Sequence, residues 1–261
     1  MTRKAGARIL LALLIIGAFA ALLGLGTWQL QRLEWKRGLI AAAQNRPNAE
    51  AVAPPGPAAW PTFDLDDWNY RRIRLTGTYG DGEADDWIVL TEPKGELGGE
   101  GYFVVAPFTT EDGWSVLVNR GFVPRDYKDS ATRPASAATP PGTVTVEGIV
   151  RRDDPPSSFT PAPDTEKNIW FTRDIATMGP FLGLDPATLA PYSVDLVASE
   201  TPPDGLPQAG ESRVTFANDH LQYALTWYGI AAALLGILIV AFFHHRQRGP
   251  DAESRPPPPA A

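Results

Sequence analysis

A single histidine stands at the start of the apolar run near the C-terminus. The run NDHLQYALTWYGIAAALLGILIVAFF begins at Asn218, and His220 lies one turn before its uncharged stretch. A neutral imidazole is a good axial ligand for haem iron. Tyr223 and Trp227, four residues apart, share a helix face on which a haem ring could lie. A haem site is one interpretation of these residues, but from the residues alone a plain anchor at the membrane boundary is favoured, because a lone polar ring there is usually one.

Arg32, His244 and His245 are the other residues that could act with His220 in a haem site. Arg32 follows the N-terminal apolar run, where it could meet a haem propionate. His244 and His245 stand about 24 residues beyond His220, which is roughly 36 Å along a helix. We therefore expect these two histidines to end the second apolar run and not to share a ligand with His220.

Composition excludes several kinds of site. The chain has 261 residues, no cysteine and two methionines, Met1 and Met178. Disulfides, c-type haem attachment, iron–sulfur ligation and thiolate nucleophiles are excluded, and copper delivery by soft ligands is disfavoured. The sequence contains no GxSxG, HExxH or nucleotide-binding glycine loop. We expect no enzyme activity, and the acidic balance of the chain argues against nucleic acid as a partner.

Two uncharged runs have the length of membrane spans. Residues 9–27 form a run of 19, and residues 224–243 a run of 20, which is about 30 Å of helix each. We predict transmembrane helices over residues 9–28 and 223–243, with the first as an uncleaved anchor. A signal peptide cleaved near residues 18–20 is the alternative, but the apolar run is long for one.

Small residues are spaced four apart in both predicted spans. Ala20 precedes Gly24, and Ala232 precedes Gly236. Small residues at this spacing let two helices approach closely. Membrane helices are rich in glycine in any case, so the sequence leaves both helix packing and ordinary lipid-facing composition open.

Charge predicts the orientation of the spans. The tails outside them hold six basic and two acidic residues, a net charge of +4, so the rest of this −7 chain carries −11. Basic residues near span ends stay in the cytoplasm. Residues 1–8 and 244–261 are therefore predicted to be cytoplasmic tails of a bacterial inner-membrane protein, and residues 29–222 a periplasmic domain. Arg32, Lys36 and Arg37 oppose this rule, but two spans place both tails on one side.

The region between the spans is rich in short β-like runs. In the first of them Ile73 and Leu75 alternate with arginines, and Glu111-Asp112-Gly113 between two later runs predicts a hairpin. The seven runs cover residues 70–79, 87–91, 101–108, 114–122, 143–150, 169–172 and 192–197. We predict a mainly antiparallel β (α+β) domain between two transmembrane α-helices, either as a curled sheet or as an open barrel.

Helices and loops are predicted around these runs. The apolar stripe beyond the first span indicates that its helix continues to about Gln44. Asp174 is expected to cap a helix over residues 175–182, and Asp185-Pro186 to start another. Residues 125–141 are rich in Ala, Pro, Ser and Thr and are expected to form a loose loop.

Five motifs together resemble the surfeit locus protein 1 family. They are GTWQLQR at residues 26–32, YRRIRLTGTY at 70–79, VNRGFVP at 118–124, VEGIVR at 146–151 and NDHLQYALTWY at 218–228. They follow one another along nearly the whole chain, and the two-span layout accompanies them. Members of that family are assembly factors for haem–copper terminal oxidases.

The resemblance implies a function for the residues singled out above. It implies help with the insertion of haem a into the large catalytic subunit of cytochrome c oxidase, with the NxHLQYA histidine, His220, implicated in haem binding. Trp28, Gln29 and Arg32 match the family's GxWQxxR pattern, although they could simply mark the membrane boundary. Expected partners are the large catalytic subunit and membrane lipid, with a haem a synthase as a further candidate. A membrane-anchored scaffold that holds the subunit without haem is the alternative.

The predicted site is therefore small. The predicted haem a-binding residues are His220, Trp28, Arg32, Tyr223 and Trp227, with His220 as the iron ligand. Two other positions that match the family, Gly77 and Arg120, are interpreted as serving the packing of the sheet.

Overall fold

Two long apolar helices flank a β domain in a computed structural model of the protein, which describes residues 3–154, 156–212 and 218–247. Helix α1 runs over Arg3–Asn45, and the last helix, α4, over His220–Gln247. Both have the length and hydropathy of membrane-spanning helices. The 43 residues of α1 are about 65 Å long, so this helix extends well beyond a bilayer, as the stripe up to Gln44 predicted. Residues 248–261 of the predicted C-terminal tail lie outside the described residues.

Five strands of a six-stranded sheet close into a barrel. The strands are β1 (Arg72–Tyr79), β2 (Ala84–Leu90), β3 (Gly99–Thr110), β4 (Ser115–Pro124), β5 (Val144–Arg151) and β6 (Leu189–Leu196). Around the barrel they follow the order β1-β5-β6-β4-β3, and β3 pairs again with β1. The β4–β6 pair is parallel and the others are antiparallel. The prediction of a mainly antiparallel domain is confirmed, and the barrel is closed.

The long strand β3 both closes the barrel and carries the extra strand β2. One edge of β3 pairs with β4, while its other edge pairs with β2 over residues 99–105 and with β1 over residues 108–110. At the closure Gly77 lies opposite Thr110, and a Cβ atom on Gly77 would lie 2.1 Å from the carbonyl oxygen of Thr109. A glycine is required here because the two strands approach so closely, as the packing interpretation of Gly77 predicted.

Apolar side chains from all five barrel strands fill its interior. The alternation of a strand is visible in β4, where Val116 and Val118 point inward and Leu117 points outward. The outward residues pack beneath a short helix, α3 (Ile175–Phe181), together with Trp170. Asp174 caps α3 as predicted, because its side chain accepts a hydrogen bond from the Thr177 backbone N–H.

Two of the predicted elements are wrong. Residues 169–172 form isolated bridges and not a strand, since Trp170 is anchored in the cluster under α3 with only 1% of its surface exposed. Asp185-Pro186 starts a turn and not a helix. The Asp185 carboxylate accepts from the Ala187 N–H at 2.9 Å, and β6 begins at Leu189, which leaves no room for a helix.

The segment 125–141 is more ordered than a loose loop. It contains three short 3-10 helices, Arg125–Tyr127, Ser130–Thr132 and Ala135–Ala137. The buried Arg133 holds them, because its Nε donates to the carbonyl of Tyr127 at 2.8 Å and its Nη1 to Glu83 at 2.6 Å. The remaining short helices are α2 (Leu65–Trp68) and three 3-10 helices, Arg46–Asn48, Pro57–Thr62 and Ala198–Glu200.

Candidate functional site

The two apolar helices pack along a regular seam. Its partly or fully buried positions recur at alternating intervals of three and four residues, which is typical of a left-handed helix pair. They are Ile15, Phe19, Leu22, Gly26 and Gln29 on α1, and His220, Ala224, Trp227, Ala231, Leu234 and Leu238 on α4. Two residues of the predicted site, His220 and Trp227, therefore belong to the surface that joins the helices.

The close approach of the helices occurs at Gly26. A Cβ atom there would lie 2.8 Å from ring atoms of Tyr228, and the Tyr228 hydroxyl is 3.0 Å from the hydroxyl of Thr27. At Gly24 and Gly236, by contrast, an added Cβ would meet nothing within 4 Å. The small-residue pairs in the spans are therefore not the packing contact, and their lipid-facing interpretation is the one that fits.

His220 is tied to the first helix by a hydrogen bond. It is the first residue of α4, and its Nδ1 lies 2.7 Å from Oε1 of Gln29, whose side chain is 9% exposed. An amide oxygen can only accept, so Nδ1 carries the proton and the lone pair of the ring is on Nε2. In the part of the chain that the structure describes, Nε2 has no hydrogen-bond partner. In its neutral form the imidazole is thus held as the tautomer whose lone pair is on Nε2.

The aromatic residues after His220 are differently placed. Tyr223 is 55% exposed, whereas Trp227 is half-buried in the seam. Because they are four residues apart on α4, their side chains lie on the same face of the helix, about one turn apart. Their predicted role as a surface for the haem ring stays a prediction.

Trp28 and Arg32 occupy another face of α1, which flanks the seam. The Arg32 guanidinium lies 5.6 Å from the ring centre of Trp28 and 5.4 Å from that of Trp35. All three side chains are exposed. Their predicted role toward haem stays a prediction, because the contacts described for Arg32 join it to these two rings.

The buried carboxylate of Asp195 has partners on both of its oxygens. Asp195 accepts from Asn119 at 3.0 Å, from Arg173 at 2.9 Å and from the hydroxyl of Ser212. Burial alone would raise the pKa of Asp195, but Arg173, Arg151 and these hydrogen bonds outweigh it and hold the pKa below its usual range. This cluster is a structural network, since both oxygens of its carboxylate are taken.

The same holds for the cluster around Arg120, in the VNRGFVP motif. Arg120 donates to Glu83 at 3.1 Å and to the carbonyl of Ala137 at 2.8 Å, and it stacks on Tyr79. Arg133 takes the other oxygen of Glu83. The interpretation of Arg120 as a residue that serves the sheet agrees with these contacts.

A concave surface beside this cluster carries titratable side chains, as an enzyme pocket would. It encloses about 420 Å³ and is lined by Glu83, Asp85 and Lys128, among others. Burial raises the pKa of Asp85 to about 6, but this carboxylate faces Lys128 at 3.8 Å and Asn168 at 3.3 Å. Within residues 3–154, 156–212 and 218–247, no group of three or more His, Asp or Glu side chains is arranged to hold a metal ion.

Known proteins match the chain over most of its length. The model of the SURF1 family matches residues 16–232. A SURF1-like protein of Monosiga brevicollis is 35% identical over 249 residues, covering 90% of this chain and 88% of the relative. Surfeit locus protein 1 of Mus musculus is 37% identical over 233 residues (85% and 71%), and that of Homo sapiens 36% over 223 residues (80% and 70%).

The chain belongs to the SURF1 family. This confirms the resemblance drawn from the five motifs. The stretch that matches the SURF1 model contains most of the seam of the helix pair, including Gly26, Gln29 and His220, and all six strands. The sequence alone left the role of Gln29 undecided. Its motif, GTWQLQR, was the signal from which Gln29 could have been identified as a partner of His220.

Proposed function

We propose that the protein assists the assembly of a haem–copper terminal oxidase by holding haem a at the start of α4, with His220 as a ligand of the iron. Membership of the SURF1 family, a family of cytochrome c oxidase assembly factors, supports the oxidase as the client. The observation that carries the haem part is the hydrogen bond of 2.7 Å between Gln29 and His220.

The hydrogen bond gives His220 what a metal-binding imidazole needs. One ring nitrogen must keep a free lone pair, and a partner on the other nitrogen fixes the tautomer and the orientation of the ring. Gln29 provides that partner from the opposite helix. Because Gly26 and Tyr228 set how closely α1 and α4 approach, the packing of the two helices sets the position of Nε2.

The donor set fits a haem held by one protein ligand. The chain has three histidines, and His244 and His245 lie at the other end of α4. Met178 is fully buried in the cluster under α3. When bound, haem a would supply the iron that His220 ligates, and Tyr223 and Trp227 would offer aromatic surface to its ring. A single axial bond from this chain also favours release to the client subunit.

The site is proposed to face the periplasm of a bacterium. Both apolar helices would cross the inner membrane, both termini would be cytoplasmic, and the barrel would be periplasmic. The distribution of basic residues supports this orientation. A reporter enzyme that is active only outside the cytoplasm, fused at the Asp112 hairpin, is expected to be active. Activity only in a cytosolic reporter at that position would contradict the orientation.

The haem proposal is tested by purifying the full chain from cells that make haem a. We expect a haem a spectrum from the wild-type protein, loss of the haem in His220→Ala, and retention in His244→Ala. The second variant is the matched control, because it removes the same side chain from the far end of the same helix. Haem retained unchanged in His220→Ala would contradict ligation by this residue.

The scaffold alternative predicts a different outcome. The chain would then crosslink to the large catalytic subunit in cells unable to make haem a, and His220→Ala would support oxidase assembly as well as the wild type does. If the wild-type chain carries no haem a but still crosslinks to the subunit, the scaffold is the better description.

A further inference from the structure

We propose that Trp28, Arg32 and Trp35 form a binding site for the phosphate of an anionic phospholipid, separate from the haem site. These three residues are spaced at i, i+4 and i+7 and so lie on one face of α1. The predicted first span ends at residue 28 and Arg32 is the first charge after it, so this face begins where a membrane-spanning helix meets the lipid headgroups.

The arrangement of the three side chains leaves an anion-binding edge open. The Arg32 guanidinium lies over both indole rings, at 5.6 Å and 5.4 Å from their centres. Contact with the two rings limits the rotamers of the Arg32 side chain, and a guanidinium presents its N–H donors at the edge of its plane. That edge matches two oxygens of a phosphate group.

The described residues do not neutralise this charge. The neighbouring acid, Glu34, pairs with Arg37 at 2.8 Å. Over residues 3–154, 156–212 and 218–247, no carboxylate lies within ion-pair distance of Arg32. The donors of Arg32 therefore remain free for a ligand from outside the chain.

The exposure of the two tryptophans indicates lipid as the source of that ligand. Trp28 is 46% exposed and Trp35 is 55% exposed. Exposure of such large rings to water costs free energy, whereas their position at the membrane interface is favourable. A haem carboxylate has the same anionic chemistry. However, Arg32 lies on the exposed flank of α1 and not in the seam that holds His220, so we assign the site to lipid phosphate.

Lipid retention by the haem-free full chain tests the site independently of the haem proposal. The protein is placed in nanodiscs of phosphatidylcholine with increasing phosphatidylglycerol, and the lipids that stay bound after release are counted by native mass spectrometry. We expect the wild type to retain phosphatidylglycerol in preference to phosphatidylcholine. R32Q should weaken this retention about tenfold, the size of a charge-assisted hydrogen-bond pair.

Two further variants separate a built site from general charge. R37Q removes the same charge one and a half turns away, from a residue that already has a carboxylate partner, and should retain lipid like the wild type. R32K keeps the charge but not the planar fork, and should fall between the wild type and R32Q. Equal losses in R32Q and R37Q, or no loss in R32Q, would overturn the proposal.

A last arm of the experiment distinguishes the two sources of anion. The same variants are purified from cells that make haem a, and their haem a content is measured. R32Q with normal haem a and reduced phosphatidylglycerol supports the lipid site. R32Q with reduced haem a and normal phosphatidylglycerol would assign Arg32 to a haem carboxylate and overturn the lipid site.

Discussion

Two carboxylates of the β domain, Asp195 and Glu83, differ from His220 of the helix pair in how their polar atoms are satisfied. In the barrel, Asp195 has partners on both oxygens, and Glu83 gives one oxygen to Arg120 and the other to Arg133. In the helix pair, Nδ1 of His220 is hydrogen-bonded to Gln29, while Nε2 has no partner among the residues that the structure describes. A polar side chain whose hydrogen-bonding atoms all have partners stabilises a fold. A side chain that is oriented through one atom while another lacks a partner can bind a ligand. The contrast supports the proposal that binding occurs at the helices and that the barrel is the rigid part.

Removing Asp195 should have the largest effect on stability. Asp195→Ala leaves Arg173 buried without its main partner, and such a loss costs about 3–5 kcal/mol. The free energy of unfolding is measured for the full chain in detergent, with denaturant and tryptophan fluorescence. Asp66→Ala is the control, because its ion pair with Arg152 is exposed and is expected to contribute less than about 1 kcal/mol. Equal effects of the two variants would refute the contrast.

The closure of the barrel should be the next most sensitive point. Gly77→Ala forces a methyl group against the carbonyl of Thr109, and such overpacking costs about 1–3 kcal/mol. Gly229→Ala on α4 meets open space and should be neutral or slightly stabilising, since alanine favours helices. The same unfolding measurement applies. If Gly77→Ala leaves the free energy of unfolding unchanged, the strands at the closure can separate enough to fit the methyl group.

The barrel should also lose stability as the pH rises from about 4 to 7. Burial raises the pKa of Asp86 from 3.8 to about 7, so in this window the folded state holds a proton that the unfolded state has released, and folding weakens. Asp86→Asn should remove most of this dependence over the window. The exposed hairpin variant Asp112→Asn should not. Parallel pH profiles for the wild type and Asp86→Asn would contradict this assignment.

The helix pair should show the smallest change in stability. Gln29→Ala removes one hydrogen bond, which contributes about 1 kcal/mol. Thermal unfolding of the full chain should therefore shift little, while haem a retention falls strongly because the imidazole loses its fixed orientation. If stability and haem retention fall together, as they would for Asp195→Ala, the role of Gln29 is structural and the comparison between the two regions fails.

Local patterns in the sequence predicted the elements better than their assembly. Hydropathy identified both long helices, short β-rich runs identified six strands, and Glu111-Asp112-Gly113 identified the β3–β4 hairpin. The second partner of β3 at Thr110 and the parallel β4–β6 pairing depend on contacts between distant segments, for which a single sequence carries no local signal.

The prediction of the candidate site was incomplete for the same reason. His220 was identifiable from its place at an apolar run, but its partner Gln29 is 191 residues away in the chain. The error at Trp170 has a related cause, because an aromatic residue buried under a helix has the composition of a strand residue.

The central claim is that Gln29 orients His220 so that its Nε2 binds iron, and resonance Raman spectroscopy of the ferrous haem complex tests it most directly. The iron–histidine stretching frequency reports the strength of the hydrogen bond on the other ring nitrogen. It should rise in Gln29→Glu, whose carboxylate accepts more strongly, fall in Gln29→Leu, and vanish in His220→Ala. The same frequency in wild type and both Gln29 variants, or a band that survives in His220→Ala, would contradict the claim.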